Sequence, residues 1–117
     1  MGGAAEAALP LLAAAQQRFE ALGAEGNAAA SLIASATITE RGECLTDLRR
    51  LEEATTAYEE AIQRAESRGD QRSIAINQCQ LGTVRLYQQR YDEALVAHQA
   101  ARDLFTTLGE PGTVAVA

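Results

Sequence analysis

An all-α fold of stacked antiparallel helix pairs is predicted by three observations. The first is an internal echo at a forty-residue offset: residues 41–77 laid on 81–117 match Gly42 with Gly82, Arg50 with Arg90, Glu53 with Glu93, Ala54 with Ala94, Ala57 with Ala97, Ala61 with Ala101 and Gly69 with Gly109. Where identity is lost, polarity is kept, as in Leu51 with Tyr91, Glu52 with Asp92 and Asp70 with Glu110. The second is composition: 47% of the chain is apolar but only 4% aromatic, and much of the apolar share is alanine, the strongest helix former. The third is periodicity, since apolar residues recur at three- and four-residue steps rather than alternating as in strands. A fixed period of this length means that each unit buries its apolar face only against its neighbours. Such an array presents a binding surface rather than a catalytic pocket.

Turn signals divide the chain into five helical stretches. The first spans about 5–22, with Pro10 tolerated in or near its first turn and Gly23 and Gly26 closing it. The second spans about 27–48, with Asn27 as its N-cap and Arg49-Arg50 as the turn after it. The third spans about 52–68 and ends at Gly69, which suits a left-handed cap, while Asp70 caps a fourth helix over about 71–88. The fifth covers about 92–108 and stops at Gly109. Glu110-Pro111 then stand where a sixth helix begins, with Thr113, Val114, Ala115 and Val116 as its first turn. The expected organisation is one helical-repeat domain over 1–117, made of a partial repeat 5–26, repeats 27–69 and 70–109, and the start of another at 110–117.

On the third and fifth helices, Ala54, Ala57, Ala61 and Ala94, Ala97, Ala101 share one face, a seam for close helix packing. Opposite that seam, Glu52, Glu59 and Glu66 form a solvated stripe, and Glu60 precedes Arg64 by one helical turn in the favourable order for an ion pair.

Charge and motif content narrow the function classes. A net charge of -6 with pI near 4.7 opposes affinity for nucleic-acid backbones. All ten basic residues are arginine, a bias that, with abundant Ala and Gly, reads as a GC-rich bacterial source. Cys44 and Cys79 are not repeat-equivalent, so each reads as a filler of a small apolar niche in a reducing, cytoplasmic setting. No segment has the ~18 apolar residues of a membrane span. Residues 4–15 lack the basic leader of a signal peptide, and Glu6 interrupts them and displaces the Ser or Thr of a myristoylation signal.

The single histidine, His98, lies five residues after Glu93, off any shared helical ligand face. The glycines form no phosphate-binding loop. The chain is therefore read as not an enzyme, with no catalytic, cofactor-binding or metal residue and no cofactor.

The segments Leu81-Gly82, Tyr91-Asp92-Glu93-Ala94-Leu95, Ala101 and Leu108-Gly109 together resemble a tetratricopeptide repeat. The preceding unit keeps Gly42, Leu51, Glu53, Ala54, Tyr58 and Ala61, with Arg41 in place of the leucine. Upstream, Ala8, Leu12, Ala15, Phe19 and Leu22-Gly23 resemble the second helix of an earlier repeat at an offset of forty-six. The forty-residue period resembles that of a long-repeat variant, and the chain is expected to be a piece of a larger bacterial array; HEAT or armadillo repeats are the fold alternative at this length.

The resemblance implies an α-solenoid of about five helices that acts as a protein-protein interaction scaffold, binding a peptide or a partner domain through a concave face lined by the first helix of each pair. Carried onto this chain, that face holds Thr39, Glu43 and Asp47, then Cys79, Thr83, Leu86 and Tyr87, with Tyr87 as the aromatic anchor. His98 matches Tyr58, a position that packs between helices in this family. The alternative is an oligomerisation segment that self-associates through uncapped ends, using Leu104, Phe105, Leu108, Val114 and Val116. Neither reading involves nucleic acid or membrane.

Overall fold

The structure is a computed structural model that describes residues 3–109. Those residues form α1 (Gly3–Ala24), α2 (Ala28–Asp47), α3 (Leu51–Arg68), α4 (Gln71–Tyr87) and α5 (Tyr91–Leu108), with no strand among them. The expected start of a sixth helix, with Val114 and Val116, lies outside the described residues.

The helix starts follow from capping chemistry. The first amides of a helix have no carbonyl partner within it, so a preceding side-chain oxygen that accepts one of them stabilises the start. Asn27 Oδ1 accepts the Ala30 N–H at 3.1 Å. Asp70 does more: one carboxylate oxygen accepts the Ser73 N–H at 3.1 Å and the other accepts the Ser73 hydroxyl at 2.6 Å. These bonds to Ser73, helped by Arg68 at 3.2 Å, hold the Asp70 carboxyl below its ordinary pKa despite some burial.

The helix ends differ from expectation at one glycine. Gly26, Gly69 and Gly109 have positive φ (97°, 71° and 78°) and end α1, α3 and α5, where a residue without Cβ adopts the left-handed cap cheaply. Gly23, expected to help close α1, lies inside it. A Cβ there would strike the Ser31 hydroxyl, so this glycine serves the approach of α1 to α2, not the termination of α1.

Two further turns use left-handed residues that are not glycine. Arg49 and Gln89, forty positions apart in sequence, both have φ 61°. In each turn the following amide reaches back across it at 2.8 Å, Arg50 N–H to the Leu45 carbonyl and Arg90 N–H to the Arg85 carbonyl. The echo in sequence is thus an echo in backbone geometry. Arg49 recovers part of the conformational cost by donating Nη1 to the Thr46 carbonyl at 2.8 Å.

The chain divides into two compact units, Met1–Ala57 and Tyr58–Ala117, with the boundary inside α3. In the first, α1 packs along α2, and Arg41 Nη1 donates to Gln16 Oε1 at 2.9 Å across the pair. α2 supplies the buried Ala30, Ala34, Ile38 and Leu45, whereas α1 supplies no fully buried residue. In the second, α4 packs on α5 around Ala75, Ala101 and Phe105, flanked by Ile76, Cys79 and Leu104.

The six alanines of the expected seams are all buried, from Ala54 at 0% exposed to Ala97 at 7%. Glu52, Glu59 and Glu66 are exposed, and Glu60 sits 3.6 Å from Arg64. Phe105 departs from expectation. It was expected to stay partly uncovered, but it is only 3% exposed, because its position on α5 turns it into the α4 interface beside Ala75.

Gln89 in a left-handed conformation carries a steric cost that glycine lacks, partly offset by the greater entropy glycine loses on folding. Gln89→Gly is expected to stabilise the protein by about 0.5–1 kcal/mol in urea unfolding. The Asp70 cap sets a pH dependence. Because its native pKa is depressed, its contribution is complete above the unfolded-state pKa and is lost as pH falls through the native value. Asp70→Ala should cost about 1 kcal/mol at neutral pH, with the gap to wild type closing in acid when melts are run as a pH series.

Candidate functional site

Close approach of α4 and α5 organises the region around the expected site residues. Gly82 is buried, and a Cβ built on it would lie 2.5 Å from His98 Nε2. The imidazole therefore lies flush on the glycine and reaches the Cys79 carbonyl, which accepts from Nε2 at 3.1 Å. A carbonyl only accepts, so Nε2 carries the proton in this bond. Thr83 Oγ1 donates to the same carbonyl at 3.3 Å. His98 thus fills the interhelical place expected of it, tying α5 to one turn of α4.

Site residues on α2 and α4 occupy matching steps, with Thr39, Glu43 and Asp47 forty positions before Cys79, Thr83 and Tyr87. On α2, Thr39 is half-buried while Glu43 and Asp47 are exposed. Partial burial, together with the neighbouring Glu40 and Asp47 charges, raises the Glu43 pKa above its ordinary value. The Cys44 thiol is raised by burial and by the same carboxylates.

On α4, Leu86 and Tyr87 are 43% and 48% exposed, Thr83 is half-buried, and Cys79 leans on the Ala75, Ala101 and Phe105 core. Burial pushes the Cys79 thiol pKa up, away from a reactive thiolate. Each set shares a face of its own helix.

Other features of the surface carried no expectation. Leu32 and Ile33 are 48% and 44% exposed on α2, about two turns before the acidic residues. Tyr91, Leu95 and Val96 are exposed on α5. The signal that could have found the first pair is a single line at three- and four-residue steps through Ile33, Ala36, Glu40, Glu43 and Asp47.

Two open grooves, of about 490 and 340 Å³, also repeat: Arg41, Leu45, Glu53 and Thr56 line one, and their equivalents Leu81, Arg85, Glu93 and Val96 line the other. The turns beside them carry matching exposed ion pairs, Arg50 with Glu53 and Arg90 with Glu93. The bond to Arg50 holds the Glu53 carboxyl below its usual range. Among the described residues, no three His, Cys, Asp or Glu side chains gather to hold a metal.

The tetratricopeptide repeat profile matches residues 32–107, covering the second to fifth helices. The chain belongs to the tetratricopeptide repeat family. Repeats of this family are typically non-catalytic and serve as protein-protein interaction scaffolds. The family match settles the architecture as tetratricopeptide-like and sets aside HEAT and armadillo repeats. No curated protein and no solved structure matches the chain. Among the described residues, no helix is long and apolar enough to cross a membrane.

As a tetratricopeptide unit, the α4–α5 pair depends on the glycine at its crossing. The His98 ring is held by the Cys79 carbonyl and retreats only by losing that bond, so Gly82→Ala is expected to destabilise by about 1–3 kcal/mol in urea unfolding. The same substitution made in a His98→Ala background should cost much less.

Proposed function

We propose that the chain is a scaffold that binds a peptide or partner domain through the outward faces of the first helices of its repeats, α2 and α4. The observation that carries this reading is the equivalence of Thr39, Glu43 and Asp47 with Cys79, Thr83 and Tyr87, which repeats one partly solvent-facing strip on two helices. Repeats over 27–69 and 70–109 are the units that present them. Half-exposed Tyr87, with Leu86 beside it, offers the rigid aromatic anchor on which binding energy concentrates. The acidic balance of the chain supports a protein partner over a nucleic acid.

A second reading, self-association, is favoured by exposed apolar residues on α5: Leu95, Val96 and, in its last turn, Leu108 at 39%. Leu104 is half-buried and Phe105 is enclosed, so neither adds much surface. Sedimentation equilibrium separates the two readings, because a scaffold of the first kind stays monomeric without its partner.

Under the first reading, Tyr87→Ala weakens partner binding by more than about 1 kcal/mol in titration calorimetry, whereas Glu59→Gln on the solvated stripe of α3 leaves affinity unchanged. The reverse order would move the site to the second helices.

A further inference from the structure

We infer that the exposed face of α2 is a docking strip for a protein segment that carries apolar side chains at one end and arginine or lysine at the other. The inference rests on the reading that the first helices present the partner surface, and it supplies the chemistry of the partner.

The strip is one line along the helix. Ile33, Ala36, Glu40, Glu43 and Asp47 follow one another at steps of three, four, three and four, with Leu32 beside the first. All six are exposed, Leu32 and Ile33 at 48% and 44%. The half toward the N-terminus of α2 is purely apolar and the half toward its C-terminus purely acidic. At 1.5 Å per residue the line from Ile33 to Asp47 is roughly 21 Å long, the reach of a short peptide.

Neither half is explained by the stability of α2. Exposed Leu32 and Ile33 contribute little while they face water. Like charges three and four residues apart on one helix repel. Carboxylates near a helix C-terminus also oppose the macrodipole; the last turn of α2 itself carries no basic residue, and the guanidinium in the turn after it, Arg49, is bonded to the Thr46 carbonyl. The carbonyl end of the helix and three carboxylates therefore gather negative charge on one line, and the Glu43 pKa is raised first by partial burial and then by the charges of Glu40 and Asp47.

A cationic partner relieves that repulsion, and apolar residues at the end opposite its cations cover Leu32 and Ile33. An anionic segment would meet added repulsion, and a purely apolar one would cover only half the strip. Charge complementarity thus selects one occupant and also fixes its direction along α2.

The test is selection of random sixteen-residue peptides displayed on phage against the whole chain. Enriched peptides should pair leucine-like residues with arginine or lysine. Their recovery should fall at least tenfold on a Glu40→Gln, Glu43→Gln, Asp47→Gln variant, on a Leu32→Ser, Ile33→Ser variant, and in high salt. Circular dichroism establishes that both variants keep their helices.

Enrichment of acidic or uncharged peptides whose binding is lost in Tyr87→Ala would overturn this inference and leave the scaffold reading standing. Basic peptides indifferent to all α2 substitutions would overturn it as well. Absence of any enriched peptide would overturn both.

Discussion

Close approach of paired helices is the constraint on which the rest of this structure depends. One partner at each crossing has no side chain: Gly23 against Ser31 between α1 and α2, Gly82 against His98 between α4 and α5. Backbone that approaches this closely lets a ring nitrogen on one helix reach a carbonyl on the next, as His98 does with Cys79. Alanine completes the arrangement, because Ala75, Ala97 and Ala101 are enclosed without demanding space. Packing enthalpy in such an interface comes from many short contacts rather than from large side chains. That is how a chain with only 4% aromatic residues still builds a close helix interface.

Much of this was legible in the sequence, for physical reasons that differ by element. Asn27 and Asp70 announced their helices because capping is local: one side-chain oxygen and an amide three residues on decide it. The alanine faces were legible because helical period alone places them. Gly23 was misread because glycine serves both as a stop and as a close-contact residue, and only the neighbouring helix distinguishes the two. Phe105, expected at a self-associating end, is instead covered by α4 beside Ala75, a contact that spacing within α5 alone does not reveal. The left-handed conformations of Arg49 and Gln89 left no trace, since neither residue type favours them; the bonds back to Leu45 and Arg85 impose them.

The candidate site was legible in part. Tyr87, Glu43 and Asp47 take their places from helical register and the family pattern, and the structure leaves their side chains exposed. Cys79 shares the register but spends its side chain on the α4–α5 core, a choice set by Ala75 and Phe105 rather than by spacing. The exposed Leu32 and Ile33 escaped notice because apolar residues on a helix are read as core until a structure shows which way they face.

Three threonine hydroxyls on these helices are turned upon their own backbone: Thr37 bonds to the Ala34 carbonyl, Thr46 to that of Gly42, and Thr83 to that of Cys79. Those three side chains have already spent their donors, and the exposed side chains proposed for recognition along α2 and α4 are carboxylates, aliphatic groups and one phenol. Such groups can be exchanged without disturbing a cap, a crossing or a seam. The chemistry of these outer faces is therefore separable from folding. A lineage could change it by a few surface replacements while the architecture beneath stays as it is.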